Sequence, residues 1–237
     1  MKDIPVFTTE YGAASLVLRE IPYTQTAYIR LQATLEPEKL IEECVGFCRA
    51  VGAEKIYAAG HPALEQYPFH TAIWKMARQM DGLPDTDAAL WPVQAETVDT
   101  WQSIYNGRMK DVDNSAWFTQ TDAKEMLRRG GGYFVHRGDT LLGIGRASGE
   151  RLDAVVAVQP GAGTDVVLAL THAMAGERLV LEVASTNTRA LRLYEKLGFT
   201  PVAEINRWYK VYGRQPRAGE YIFPDCKGKI LDKVDTM

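Results

Sequence analysis

The sequence predicts a mixed α/β (α+β) chain in two unequal parts, with strands and helices alternating in each. Three observations point to it. Strand-like and helix-like hydrophobic patterns follow one another from residue 13 to residue 211. A cluster of Gly, Pro and Asp at 81–87 (DGLPDTD) separates two patterned regions. A continuous apolar run at 152–158 (LDAVVAV) leads through a short Gly-containing loop into a helical pattern, as a strand buried on both faces does.

The elements follow in order. Residues 13–19 (AASLVLR) and 26–33 (TAYIRLQA) are β-rich and read as a hairpin, with a Pro-Tyr-Thr turn region between them. Pro37 opens a helix over 37–51, whose apolar positions Leu40, Ile41, Val45, Phe47, Cys48 and Val51 keep a rough helical period, and Gly52 ends it. Lys55 to Ala59 is a short apolar strand. Residues 63–80 read as a second helix, started or kinked by Pro68. After the 81–87 linker, Leu90 to Val93 starts a strand. Helices follow at 96–107 and 121–129, the second capped by Thr121. Beyond Gly130-Gly131-Gly132 come strands at 133–137, 140–147 and 152–158, the first two joined by the tight turn Arg137-Gly138-Asp139. A helix at 164–175, a strand at 179–184, a helix at 187–196 ended by Gly198, and a strand at 201–211 complete the pattern. The two parts share enough of their order to suggest a worn internal duplication.

Composition sets the function classes. With 46% hydrophobic and 24% charged residues, a packed core is expected and disorder is not. A net charge of −3 gives no electrostatic case for nucleic acid. Cys44, Cys48 and Cys226 are too few for a disulfide framework and read as buried or idle thiols of a reducing compartment. His61, His70, His136 and His172 are scattered, no Cys/His spacing matches a zinc site, and no metal is expected. The N-terminal MKDIPVFTTEYG lacks the apolar core of a signal peptide, and no apolar run nears the roughly 20 residues of a membrane span. A soluble, cytoplasmic protein without membrane partner is the expectation.

The chemistry-bearing segment is STNTRALRLYEKLGF, 185–199. Asn187 suits a helix N-cap, Ala190 permits close approach, Leu193 and Leu197 are i,i+4 neighbours, and Gly198 suits a left-handed C-cap. The order Asn187, Arg189-Ala190, then Leu193-Tyr194-Glu195-Lys196-Leu197-Gly198-Phe199 resembles the late strand–helix segment of the GNAT acetyltransferases. That resemblance implies a GNAT-type fold: a mixed, mostly antiparallel central sheet flanked by helices, here with a second, smaller and degenerate GNAT-like half. It also implies that Tyr194 protonates the departing thiolate of coenzyme A, while Asn187 and Ala190 border the donor. On its own, Tyr194 reads equally as a helix-face aromatic.

The upstream segment AVVAVQPGAGTDVVLAL, 154–170, fits the same resemblance. In the family a strand that splays from its neighbour pairs with pantetheine, and the loop and helix start hold the pyrophosphate. Here Val156 and Val158 fall on the strand edge, with a backbone N–H near Val158 for the oxyanion. Gly161, Ala162, Gly163, Thr164 and Asp165 fall in the turn. The chain departs from the family at Pro160, where a basic residue is usual, at Asp165, where a small one is usual, and in a shorter loop. Candidate bases for the amine are Asp153, Glu182 and Glu150, each equally readable as a strand-end charge; ordered water is the alternative. The segment 105–118, with Tyr105, Trp117 and Phe118, corresponds to the acceptor-selecting region and reads equally as a surface loop with core aromatics.

The expected domains are a degenerate GNAT-like unit at 1–85, an acyl-CoA-binding unit at 86–213, and a polar tail at 214–237. The resemblance implies acetyl-CoA-dependent N-acetyltransfer to a primary amine of a small molecule or peptide. The alternative is a non-catalytic acyl-CoA-binding or regulatory protein. The N-terminal unit completes the sheet, walls the acceptor pocket or makes a homodimer surface.

Overall fold

The computed structural model describes residues 5–211; Cys226 and the 214–237 tail lie outside them. In chain order the strands are β1 (Val6–Thr9), β2 (Gly12–Val17), β3 (Thr26–Thr34), β4 (Lys55–Ala59), β5 (Phe69–Gln79), β6 (Ala89–Pro92), β7 (Gly132–Arg137), β8 (Thr140–Ser148), β9 (Arg151–Ala157), β10 (Arg178–Ala184) and β11 (Thr200–Lys210). The helices are α1 (Ile21–Thr24), α2 (Pro37–Ala50), α3 (Val98–Met109), α4 (Gln120–Arg129), α5 (Gly163–Thr171) and α6 (Thr188–Lys196). All eleven strands join one mostly antiparallel sheet, ordered β1-β2-β3-β4-β11-β5-β10-β9-β8-β7-β6.

At the N-terminal end, β2 and β3 form the expected hairpin, with the helical turn α1 between them and the short edge strand β1 beyond. Helix α2 starts on Pro37 and stops before Gly52, whose φ of 97° lies in the glycine-favouring region. It crosses over from β3 to the parallel strand β4 and buries Leu40, Ile41, Cys44, Val45 and Cys48. Burial pushes the Cys44 thiol up to about 12 and the Cys48 thiol to about 11, so both stay protonated and inert at neutral pH.

The stretch 63–80 is not a helix. Residues Pro62–Gln66 make one 3₁₀ turn, and Phe69–Gln79 is the strand β5, near the middle of the sheet. Ala, Lys, Met, Arg and Gln in this stretch favour helix only by tenths of a kcal/mol each. Strand pairing on both sides outweighs that: β5 runs antiparallel to β10 from Ile73 to Gln79 and to β11 from Phe69 to Ala77. With both faces covered, β5 lacks the alternation that marks a half-exposed strand.

In the C-terminal part, β6 through β9 are successive antiparallel neighbours. The cap of α4 is Thr119, not Thr121. Thr119 accepts the Asp122 N–H at 3.2 Å, and Asp122 accepts the Thr119 N–H at 2.9 Å, a reciprocal capping box. Helix α5 packs so closely on β8 that a Cβ on Gly145 would overlap Leu170, and one on Gly143 would meet Val166 at 2.6 Å. It ends at Thr171 rather than 175. One core lies under α5 and α6, with Leu152, Val166, Leu170, Leu179, Tyr194 and Phe199. A second lies under α3 and α4 on the opposite face, with Trp101, Phe118, Met126, Ile144 and Val156.

Strands β9 and β10 are parallel partners only at Arg151–Val180 and Leu152–Leu181. A bulge in β9 follows, and from there β9 stays with β8 as far as Ala157, while β10 stays with β5 as far as Ala184. Each strand is claimed by its outer neighbour, so the two part.

Candidate active site

Both ends of α6 are fixed by its own sequence. The Asn187 side-chain oxygen accepts the Ala190 N–H at 3.2 Å. At the far end the Phe199 N–H donates to the Tyr194 carbonyl and the Gly198 N–H to the Glu195 carbonyl, both at 2.9 Å. These two bonds make a Schellman motif, with Gly198 left-handed at φ 82°. The motif folds Phe199 back onto Tyr194, edge to face, with centroids 5.7 Å apart. The Leu-Tyr-Glu-Lys-Leu-Gly-Phe run is therefore a local folding instruction whose product is a clamped Tyr194. Tyr194 is 8% exposed, and burial pushes its phenol up to about 12.

The N-terminal part supports the same turn. Thr71 Oγ1 of β5 lies 3.2 Å from both the Ser185 and the Thr186 hydroxyls, and Ser185 Oγ accepts the Ala72 N–H at 3.0 Å. The chain entering Asn187 is thereby pinned to β5.

A cleft of about 330 Å³ lies beside the end of β9, bordered by the turn into α5, by α6 and by the end of α3. From the predicted set, Val156, Gly161, Gly163, Thr164, Asn187, Ala190 and Tyr194 border it. Ala162 and Asp165 do not. Ala162 is buried in the core under α5, and Asp165 turns outward to the Arg137 guanidinium at 2.9 Å. Val158 is engaged on both sides: its N–H donates to the Leu142 carbonyl at 2.8 Å, and its carbonyl accepts from Arg108 at 3.0 Å. Backbone groups alternate between the two edges of a strand. With Val158 bonded toward β8, it is Val155 and Ala157 that turn their backbone toward β10, and both border the cleft.

Asp153 and Glu182 lie apart from the cleft wall, joined through Arg151 at 3.3 and 3.2 Å. Glu150 is exposed in the β8–β9 turn. Besides Val155 and Ala157, sequence reasoning missed Arg108, Met109, Arg189 and Leu193 as cleft residues. Arg108 and Met109 fall within the 105–118 stretch, and Arg189 and Leu193 are inside the 185–199 motif, where helical spacing from Asn187 and Ala190 was the available signal.

The rest of 105–118 folds against the N-terminal part. The buried Glu20 carboxylate accepts the Trp117 N–H at 2.8 Å, Trp117 stacks on Tyr23 at 5.1 Å, and Asp113 lies 3.6 Å from the buried His70. Burial holds His70 below the usual histidine range, against the opposing pull of Asp113.

Residues 157–209, which span the end of β9, α5, β10, α6 and β11, match the family described as FR47-like protein. The fold is of the GNAT type. A GCN5-related N-acetyltransferase from Sphaerobacter thermophilus superposes with a TM-score of 0.52 at 14% identity, over 84% of this chain and 75% of that one. A conserved protein of unknown function from Staphylococcus epidermidis gives 0.55 at 12% identity, over 88% and 93%. A tandem GNAT protein from the clavulanic acid biosynthesis pathway gives 0.52 at 15%, over 84% and 78%. No curated protein matches the chain by sequence. At these identities the likeness is one of fold. Among the described residues, no group of three or more His, Cys, Asp or Glu is placed to hold a metal, and no helix is long and apolar enough to cross a membrane.

Proposed function

We propose that the chain is an N-acyltransferase that moves an acetyl or other short acyl group from acyl-CoA to a primary amine of a small molecule or peptide. The observation that carries this reading is the cleft beside the end of β9, beyond the point where β9 leaves β10, with Asn187, Ala190 and Tyr194 on one wall and Gly161, Gly163 and Thr164 on another. An open strand edge at Val155 and Ala157 suits the amides of pantetheine. A turn of small residues at the start of α5 suits phosphate oxygens, which need close approach to backbone N–H groups.

In this reading a neutral amine attacks the thioester carbonyl, the C–S bond breaks, and the amine nitrogen loses a proton as the sulfur gains one. Tyr194 is the donor to sulfur. A phenol held at about 12 is fully protonated at neutral pH, as an acid must be. A free thiol has a pKa of about 8.5, so the phenol hydrogen-bonds to the sulfur first and gives up its proton only as negative charge builds there. The Val158 N–H is already bonded, so Val155 and Ala157 are the better backbone donors to the oxyanion. Asp153 and Glu182 are tied to Arg151, which favours an ordered water as the acceptor of the amine proton. Most of the rate would come from positioning.

The second reading, an acyl-CoA-binding or regulatory protein without turnover, draws on the Gly-rich turn, which has Pro160 where the family has a basic residue. Release of free CoA from acetyl-CoA, measured across a broad panel of amines together with thermal shift by acetyl-CoA, separates the two. Turnover with any amine supports the enzyme. Stabilisation without turnover supports the binder, and no stabilisation at saturating ligand removes both.

A further inference from the structure

A donor that carries phosphate needs positive charge, and the turn from Val158 to Asp165 supplies none: it reads Val-Gln-Pro-Gly-Ala-Gly-Thr-Asp. Asp165, its one carboxylate, faces Arg137 instead of the cleft. The charged side chains that do border the cleft are Arg108, at the last turn of α3, and Arg189, in the first turn of α6; no acidic residue borders it. Arg108 Nη2 donates to the Val158 carbonyl at 3.0 Å. That bond carries the guanidinium from the α3 layer to the end of β9, where the Gly-rich turn begins. One donor is used, and the planar fork leaves the others for oxyanions. Arg189 sits where its charge opposes the helix dipole, a cost that a bound anion offsets.

We propose that Arg108 is the phosphate-reading residue of this cleft, which makes the site select a phosphorylated pantetheine over a bare one. The positive charge absent from the loop at Pro160 is supplied from α3, across the strand end. The inference rests on the acyl-CoA reading above. The Val158 carbonyl acts as a tether: it fixes the guanidinium before the ligand arrives, so little side-chain entropy is left to lose on binding.

The test is a set of dissociation constants for CoA, 3′-dephospho-CoA, 4′-phosphopantetheine and pantetheine, measured by calorimetry on the wild type, Arg108→Gln and Arg108→Lys. Gln retains a neutral donor for the Val158 carbonyl and removes the charge. Arg108 is exposed, and thermal melts of each variant establish that it is folded. The expected result is that Arg108→Gln weakens the three phosphorylated ligands about tenfold or more, leaves pantetheine unchanged, and flattens the salt dependence of CoA binding. Lys should restore part of the loss. An equal loss for all four ligands, or none, overturns the inference while the acyl-CoA reading stands. A wild-type protein that binds none of the four removes that reading and this inference together.

Discussion

Tyr194 owes its position to Gly198, the glycine that lets Phe199 turn back. The ring is held edge to face against Phe199, and Tyr194 borders the cleft. Tyr194→Phe preserves that packing and removes only the hydroxyl group. Turnover should fall by about 10²–10⁴ while CoA affinity stays within a factor of two or so, as steady-state rates and calorimetry would show; unchanged turnover would refute the acid role. The raised pKa gives a second expectation. Because the folded phenol titrates near 12 and an unfolded one near 10, its contribution to stability is complete below about pH 10 and is lost as pH rises from there toward 12. Melting curves across that window should show the wild type losing more stability than Tyr194→Phe, in which the loss is absent.

At the scale of elements, α6 shows how a motif encodes geometry. Gly198 at φ 82° is the pivot of the Schellman cap. Gly198→Ala forces a side chain into the left-handed region and brings its Cβ to 3.3 Å from the Arg78 guanidinium. A loss of about 1 kcal/mol or more is expected in chemical denaturation, with weaker CoA binding as Tyr194 loosens. The elements that were legible in the sequence are those with local causes: α2 with its Pro37 start and Gly52 stop, α6 with its two caps, and the β7–β8 hairpin with its Arg-Gly-Asp turn. The Thr119–Asp122 box was equally local, but Thr121 two residues on offered a competing cap. Strand β5 was illegible because its cause is not local. Its partners arrive more than a hundred residues later, as in the Ile73–Ala184 and Ala77–Thr200 pairs.

At the scale of the whole molecule, β5 decides how the two parts relate. It lies between β10 and β11, and β11 in turn pairs with β4 at Tyr57–Lys210 and Ala58–Tyr209. A fragment of residues 86–213 would keep the cleft residues but leave the facing edges of β10 and β11 without their shared partner, and Ser185 without Thr71. We expect it to be unfolded or aggregated when expressed alone, by circular dichroism and sedimentation, and to recover CoA binding when residues 1–85 are supplied in trans. A monomeric, cooperatively melting 86–213 fragment would instead mark it as an independent domain.

The sequence by itself determined the alternating α/β order of most of the chain and the caps of α6, because these follow from contacts a few residues apart. Tertiary structure alone decided that β9 and β10 part, that β5 completes the sheet, that Asp165 leaves the site for Arg137, and that Arg108 enters it. Each of these depends on which distant strand or side chain wins a hydrogen bond. That competition is settled by packing across the sheet, and hydrophobic period along the chain carries no record of it.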